Sequence, residues 1–334
     1  MSKKRVAING FGRIGRLTFR KLLGNNNIEV VAINDLTDNG TLAHLFKYDS
    51  AHGQFNGTVD YTDDSLIVNG KSILATAIRN PAELPWKENN VDIVLECTGI
   101  FRNREKASMH LQAGASKVLL SAPAKGGDIS TVVLGVNDED LTGDEDIISN
   151  ASCTTNCLAP VVKVINDNWG FVKGSLTTTH AYTSDQNIQD APHSDLRRAR
   201  AAAFNIVPTS TGAANAVGLV IPEVTGKMFA IAIRVPIITG SMIELNVITE
   251  KSVTIEEINA KFKEYADGPM KGVLEFSTSP LVSADIVGNP HSSIFDSLLT
   301  DAMDLSEGTM VKIVSWYDNE AGYSARLADL TARV

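Results

Sequence analysis

The chain is poor in cysteine and has no long apolar run. Its 334 residues include three cysteines, Cys97, Cys153 and Cys157. That odd count, without framework spacing, argues against a disulfide scaffold and for a reducing, cytoplasmic setting. No C-x-x-C pair is present, so no zinc site is expected. No stretch approaches the roughly 18 consecutive apolar residues of a membrane span. Met1-Ser2-Lys3-Lys4-Arg5 leads straight into Val6-Ala7-Ile8-Asn9, without the apolar segment of a signal peptide. Positive charge is in deficit, with 30 Lys and Arg against 39 Asp and Glu and a net charge of −9. Nucleic acid and anionic membranes are therefore disfavoured as partners, although a local basic pocket for an anionic substrate is compatible. Internal repeats and low-complexity segments are absent. What remains is 43% hydrophobic and 21% charged, ordinary for a globular chain, and long enough for two domains of about 150 residues.

One segment carries the most chemistry: Ser149-Asn150-Ala151-Ser152-Cys153-Thr154-Thr155-Asn156-Cys157. The apolar Ile147-Ile148 before it reads as a buried strand, and Leu158, Val161, Val162 and Ile165 after it read as a helix face. Ser152 is placed as N-cap and Cys153 at the strand-to-helix junction. The partial positive charge of a helix N-terminus favours the thiolate, which is the nucleophile. A buried structural cysteine is the competing reading.

Near the start, Val6-Ala7-Ile8 precedes Gly10-Phe11-Gly12-Arg13-Ile14-Gly15, a complete G-x-G-x-x-G. A helical stretch follows, then the apolar run Val30–Ile33 ending at Asn34-Asp35, with Asp35 20 residues after Gly15. Strand, glycine turn, helix and acid at this spacing predict a dinucleotide site. Pyrophosphate would lie on the helix N-terminus and ribose on Asp35. Leu36, rather than an arginine, follows Asp35, which favours NAD over NADP. Arg13 reads either as a phosphate contact or as a helix-terminal charge. Further runs at Val91–Leu95, Val118–Leu120, Val132–Leu134 and Ile147-Ile148 continue a βα pattern. Cys153 is expected to emerge at the strand edge where the nicotinamide should arrive.

The pattern changes after Cys153. Ser175–His180, rich in Thr, reads as a strand ending in His180, 27 residues beyond Cys153. A Cys–His pair would activate the thiol, whereas a local structural role is the plainer reading of the histidine. A polar loop from Ala181 to Arg200 holds Arg197, Arg198 and Arg200, which read equally as a solvated loop or a subunit contact. Arg234 lies inside the apolar run Ala230–Val235, where a charge requires a carboxylate or a bound anion. Thr209-Ser210-Thr211-Gly212 opens an Ala-rich helix and could form an anion site. Together these point to a phosphorylated substrate. Later strands at Met242–Ile248 and Val311–Trp316, and a capping box at Thr254–Glu257, complete a mixed pattern. His44, His52, His110, His193 and His291 have no partner spacing and read as surface or core fillers.

These motifs resemble one family. Asn9–Arg16 (N-G-F-G-R-I-G-R), Ser149–Cys157 (S-N-A-S-C-T-T-N-C), Thr209–Ala213 (T-S-T-G-A) and Trp316–Glu320 (W-Y-D-N-E) are similar to phosphorylating glyceraldehyde-3-phosphate dehydrogenases, from Arg5 to about Thr331. The resemblance implies an α/β Rossmann-type doubly wound parallel sheet over residues 1–151. A C-terminal helix, 319–334, would pack back on it. An α+β catalytic domain on a mixed or antiparallel sheet would follow over 152–318. It implies glycolytic oxidation of D-glyceraldehyde 3-phosphate with NAD and inorganic phosphate to 1,3-bisphosphoglycerate, through a Cys153 thiohemiacetal and thioester. His180 would lower the thiol pKa by ion pairing and act as base.

By the same resemblance Thr183 and Arg234 hold the substrate phosphate. Ser152, Thr154, Thr211 and Gly212 line the site of the attacking phosphate, with Arg198 near both. Gly10, Gly12, Arg13, Ile14, Asp35, Arg79, Ser121 and Asn319 serve NAD. A cytoplasmic homotetramer is implied. Two departures stand out: Ile237-Ile238-Thr239-Gly240-Ser241 replaces the usual T-x-N-V-S, which puts subunit contacts in question. The end at Val334 predicts a C-terminal helix less well anchored than usual. The alternatives are an erythrose-4-phosphate dehydrogenase, which typically lacks the T-S-T-G segment, and a non-catalytic NAD-binding or adhesion protein.

Overall fold

Alternating strands and helices in the first half of the chain dictate a parallel sheet, because a βαβ crossover returns each strand in the same direction. The computed structural model describes residues 3–334. The chain forms two units. Unit 1 holds the residues up to Val132, Glu139–Ala151 and Ser324–Val334; unit 2 holds Val133–Asp138 and Ser152–Tyr323.

Unit 1 contains β1 (Lys4–Asn9), β2 (Ile28–Asn34), β3 (Val59–Tyr61), β4 (Ser65–Val68), β5 (Lys71–Thr76), β6 (Ile93–Glu96), β7 (Lys117–Leu120), β8 (Ser130–Thr131) and β9 (Ile147–Ser149). Its helices are α1 (Arg13–Leu22), α2 (Asn39–Lys47) and α3 (Arg104–Gln112). The sheet order is β3-β4-β5-β2-β1-β6-β7-β9-β8. From β5 to β8 the strands run parallel, while β3 and β4 form an antiparallel extension. The strand order reverses direction about β1, the switch point beside which such sheets bind ligands. The β4–β5 turn is Asn69-Gly70, both at positive φ, a hairpin signal present in the sequence. The strand expected at Val132–Leu134 is not formed. Asn137 Oδ1 instead accepts from the Val133 N–H at 2.9 Å and Gly135 turns the chain at φ +79°.

Unit 2 contains α4 (Cys153–Trp169), β10 (Phe171–Ala181), β11 (Val207–Thr209), α5 (Ala213–Val220), β12 (Met228–Val235) and β13 (Ser241–Thr249). Then come α6 (Ile255–Asp267), β14 (Leu274–Ser277), β15 (Ser293–Asp296), β16 (Asp301–Asp304) and β17 (Thr309–Tyr317). The sheet order is β11-β12-β10-β13-β17-β15-β14, with β16 on β17. It is mixed: β10 and β12 are parallel, and β13 and β17 antiparallel to their neighbours. Alternating residues of β13 are buried, and α4 is buried from Thr154 to Ile165 except at Lys163. The Thr254–Glu257 capping box opens α6 as expected.

The last helix, α7 (Ala321–Arg333), is not loosely held. Leu327, Leu330 and Thr331 are fully buried and Lys4 Nζ donates to the Ala332 carbonyl at 2.9 Å. Among the described residues no helix is long and apolar enough to cross a membrane.

Candidate active site

In unit 2 the sequence places a small hydroxyl residue before Cys153, and the Ser152 hydroxyl caps α4 by accepting from the Thr155 N–H at 3.1 Å. Cys153 therefore occupies the first helical position. Its Sγ lies 3.4 Å from His180 Nε2. On the other side of the ring, His180 Nδ1 lies 2.6 Å from the Ala181 carbonyl oxygen, which can only accept. The ring proton is therefore on Nδ1, and Nε2 presents its lone pair to the thiol.

Register explains the third member. In the parallel pair β10/β12, His180 stands opposite Arg234. Arg234 donates to the Ala181 carbonyl at 3.1 Å and to the Thr183 hydroxyl at 3.2 Å, while its buried Nε finds no protein acceptor. A half-buried cation with donor capacity to spare is suited to an anion.

Burial dominates the electrostatics of the pair. Burial pushes the Cys153 thiol up, opposed by the charge of Arg234 and by hydrogen bonds from Thr154. Burial, then the charge of Arg234, pulls His180 down to about 3. Both shifts favour the uncharged forms, and the geometry, Nε2 facing the thiol, suits His180 as a base. Cys97 and Cys157 are each driven up to about 12 by burial, without a neighbouring base. Cys153 alone has both a proton acceptor and a cation.

Other predicted residues fall into place unevenly. Arg198 is held by Asp185 and donates to the Thr209 hydroxyl at 2.9 Å and the Ser210 carbonyl at 3.2 Å. Thr211 Oγ1 accepts from the Ala213 N–H at 3.2 Å, and Gly212 is the N-cap of α5. The hydroxyls of Ser152 and Thr154 are turned inward, the second to Tyr317 Oη at 2.9 Å. Tyr317 was not singled out from the sequence. It also meets the Thr178 hydroxyl at 2.9 Å and lies edge-on to the His180 ring, with 5.8 Å between centroids. The W-Y-D-N-E motif contains it, but nothing in the motif gives its side chain a partner. Asn319 Oδ1 accepts from the Gly240 N–H at 3.2 Å and the Ser241 hydroxyl at 2.9 Å, which orients Nδ2 away from them. Thr239, in the divergent 237–241 segment, donates to Asp318 at 2.8 Å, so this turn is pinned locally.

Unit 1 contains a cleft of about 400 Å³ at the switch point, lined among others by Gly10, Gly12, Asp35, Arg79 and Thr98. Gly10 turns at φ +92°, and a side chain on it would run into the Thr98 backbone. A Cβ on Gly15 would collide with the Gly10 carbonyl, so α1 packs directly on the turn. Gly12 is the N-cap of α1, with Arg13 and Ile14 in its first turn. Asp35 accepts from the Phe11 N–H at 2.7 Å. The Arg13 guanidinium pairs with Asp49 at 2.5 Å. Ser121 follows β7 and hydrogen-bonds the Cys97 thiol. Asp49 carries no motif, and nothing in its sequence surroundings marks it; Thr98 stands at a strand end, where such sheets bind ligands.

Residues 4–104 match the NAD binding domain of glyceraldehyde 3-phosphate dehydrogenase, and residues 152–319 match its C-terminal domain. The chain belongs to the glyceraldehyde-3-phosphate dehydrogenase family. It is 60% identical over 327 residues to the glyceraldehyde-3-phosphate dehydrogenase of Thermotoga maritima, covering 97% of each chain. It is 56% identical to that of Mycolicibacterium smegmatis (99% of this chain, 98% of the relative) and 54% to glyceraldehyde-3-phosphate dehydrogenase 1 of Bacillus subtilis (99% and 98%). In this family member, a dinucleotide-type cleft and a Cys–His–Arg cluster thus occupy separate units of one chain.

Proposed function

We propose that this chain is a glycolytic, phosphorylating glyceraldehyde-3-phosphate dehydrogenase that uses NAD. The observation that carries the reading is the Cys153 Sγ–His180 Nε2 contact of 3.4 Å at a helix N-terminus, with Arg234 opposite His180. Arg234 and Thr183 hold the substrate phosphate. His180 Nε2 takes the thiol proton as Sγ attacks the aldehyde carbon, and the Cys153 N–H receives the developing oxyanion. The imidazolium returns that proton to the oxyanion, giving the thiohemiacetal hydroxyl, and the neutral His180 then takes it back as the C–H bond breaks, leaving a Cys153 thioester. NAD, when bound, supplies the hydride acceptor.

Inorganic phosphate, held near Arg198, Thr211, Gly212 and the N-terminus of α4, attacks the thioester carbon and releases the Cys153 thiolate, which is reprotonated from His180. Ser152 and Thr154 contribute helix N–H groups there rather than their hydroxyls. The residues of unit 1 fit NAD: Gly10, Gly12, Arg13 and Ile14 offer a turn and a helix start to the pyrophosphate. Asp35 meets the ribose, with Arg79 and Ser121 alongside. Asn319 would take the carboxamide through Nδ2.

A cytoplasmic homotetramer is part of the same proposal. Large apolar side chains stand exposed around β11 and β12, Phe204 at 87% and Phe229 at 76%, with Ile206 and Leu219 beside them, which supports burial against other copies. Sedimentation of the purified protein should give the mass of four chains; a monomer would refute this part.

The activity is tested by NADH production from glyceraldehyde 3-phosphate with and without inorganic phosphate. Sustained phosphate-dependent turnover, and without phosphate a single burst that stalls at the thioester, is the expected result. Full turnover without phosphate would replace the reading with a hydrolytic enzyme such as an erythrose-4-phosphate dehydrogenase. No turnover would favour a binding protein.

A further inference from the structure

Behind the cleft of unit 1 runs a line of buried hydrogen bonds that the proposed mechanism does not use. At one end the Ile78 N–H donates to Asn34 Oδ1 and Asn34 Nδ2 donates back to the Ile78 carbonyl, both at 2.9 Å, which fixes that amide's orientation. Asn34 Nδ2 also donates to Asn9 Oδ1 at 2.7 Å, so Asn9 Nδ2 is the group that reaches Glu96 Oε2 at 2.6 Å. At the other end the Trp86 indole N–H, which can only donate, meets His110 Nδ1 at 3.0 Å. His110 therefore carries its proton on Nε2 and donates it to Glu96 Oε2 at 2.9 Å. The remaining carboxylate oxygen, Oε1, accepts from the Thr98 N–H at 2.8 Å and from the Thr98 hydroxyl.

His110 is 0% exposed and Glu96 1%. His110, whose spacing in the sequence suggests a filler, thus links the indole to the carboxylate. Backbone groups at one end and an indole at the other leave a single sense for every hydrogen bond between them.

This line ends on the walls of the cleft. Asn9, Asn34, Ile78 and Thr98 all line it. Thr98 packs so closely on the Gly10 turn that a Cβ there would lie 2.8 Å from the Thr98 nitrogen. The line also joins the C-terminal ends of β2, β1 and β6, neighbours at the switch point. We propose that Glu96, oriented by His110 and Trp86, is a positioning residue for the dinucleotide. It touches no ligand, but clamps Thr98 against the glycine turn and, through Asn9 and Asn34, sets the spacing from that turn to Asp35. The inference rests on the reading of this cleft as the NAD site.

Glu96→Gln keeps the size of the side chain but turns an amide N–H₂ toward groups that all donate. One buried donor is left unmatched, a loss of roughly tenfold in affinity. Calorimetric titration of NAD into the purified enzyme should show that loss. The KM for NAD should rise in step, while kcat at saturating NAD and the KM for the aldehyde stay within about twofold.

If Glu96→Gln does not fold, a second pair decides. His110→Gln can place an amide N–H where Nε2 stood and should bind NAD within about threefold of the parent, whereas His110→Leu should lose roughly tenfold. Equal NAD affinity in His110→Gln and His110→Leu, or a fall in melting temperature with no change in the KM for NAD, would reduce the network to a structural one and overturn the proposal. Asp35→Asn separates the two levels. If it weakens NAD and the network variants do not, only this inference fails; if it too binds NAD like the parent, the cleft assignment fails and this inference with it.

Discussion

In unit 1 the cleft is shaped by backbone: a glycine turn, a helix N-terminus and strand ends, with Asp35 as its acidic side chain. In unit 2 the site is made of side chains from different elements, Cys153 from α4, His180 from β10 and Arg234 from β12. The first depends on what one short stretch of chain can do, and tolerates any neighbours that leave the turn intact. The second depends on strand register, because a one-residue slip of β12 against β10 would carry Arg234 to the opposite face. Electrostatics follow the same division. In the unit 2 site burial and a neighbouring cation act on an imidazole and a thiol, and burial pushes both toward their uncharged forms.

The sharpest test of this contrast removes the sulfur. Cys153→Ser should fold and bind NAD yet lose at least about three orders of magnitude in rate, since an alkoxide is far harder to form than a thiolate. NADH formation at saturating substrates measures it, and near-normal turnover would sink the mechanism. His180→Asn should cost roughly 10²- to 10³-fold in kcat by removing the base.

The same substitution tests the buried neutral imidazole. His180 is held at about 3 in the fold against an ordinary value of 6.5, so between those values the unfolded chain binds the extra proton. Its contribution to stability is complete above pH 6.5 and is lost progressively as the pH falls toward 3. Urea unfolding at pH 7.5 and pH 5 should show a larger loss for the parent than for His180→Asn; equal losses would place the titrating group elsewhere.

Arg234→Ala comes next. It should raise the KM for the phosphorylated aldehyde by roughly 10- to 100-fold, as loss of a charge-assisted anion contact does, and leave the KM for NAD alone. Because the charge of Arg234 is what opposes burial at the thiol, iodoacetamide alkylation of Cys153 in this variant should require higher pH than in the parent. An unchanged alkylation profile would remove Arg234 from the thiol's environment. Asp35→Asn, the counterpart in unit 1, should weaken NAD by roughly tenfold without moving that profile. A shift in both would mean the two sites are not separable as described.

How much of this was legible follows from the same division. The glycine turn, α1 and Asp35 could be read from spacing alone, because each step of the argument spans a few residues. Cys153 as the first residue of a helix was legible for the same reason. The pairing of His180 with Arg234 was not, since it is set by β10/β12 register, and only the family resemblance brought those residues together. The depression of His180 and the elevation of Cys153 are not legible either, because burial is a property of the packed core. Trp86, Glu96 and His110 sit on a loop, a strand and a helix and carry no motif, so nothing short of the fold joins them.

The smallest expected effect concerns Thr154, where resemblance and geometry disagree. The resemblance gives it to the attacking phosphate, but its hydroxyl is buried against Tyr317 Oη at 2.9 Å. Thr154→Val keeps the shape and removes the hydroxyl. Tyr317 retains its bond to Thr178, so the loss should be about 1–2 kcal/mol of stability, the usual cost of one broken buried hydrogen bond. The KM for inorganic phosphate should change by less than about threefold, because the helix N–H groups that face an anion are unaltered. Denaturant unfolding and phosphate titration of the same preparation decide it. A phosphate KM raised about tenfold or more with unchanged stability would turn the hydroxyl outward and make Thr154 a direct ligand; lost stability with an intact phosphate KM would make it a strut beneath the reactive thiol.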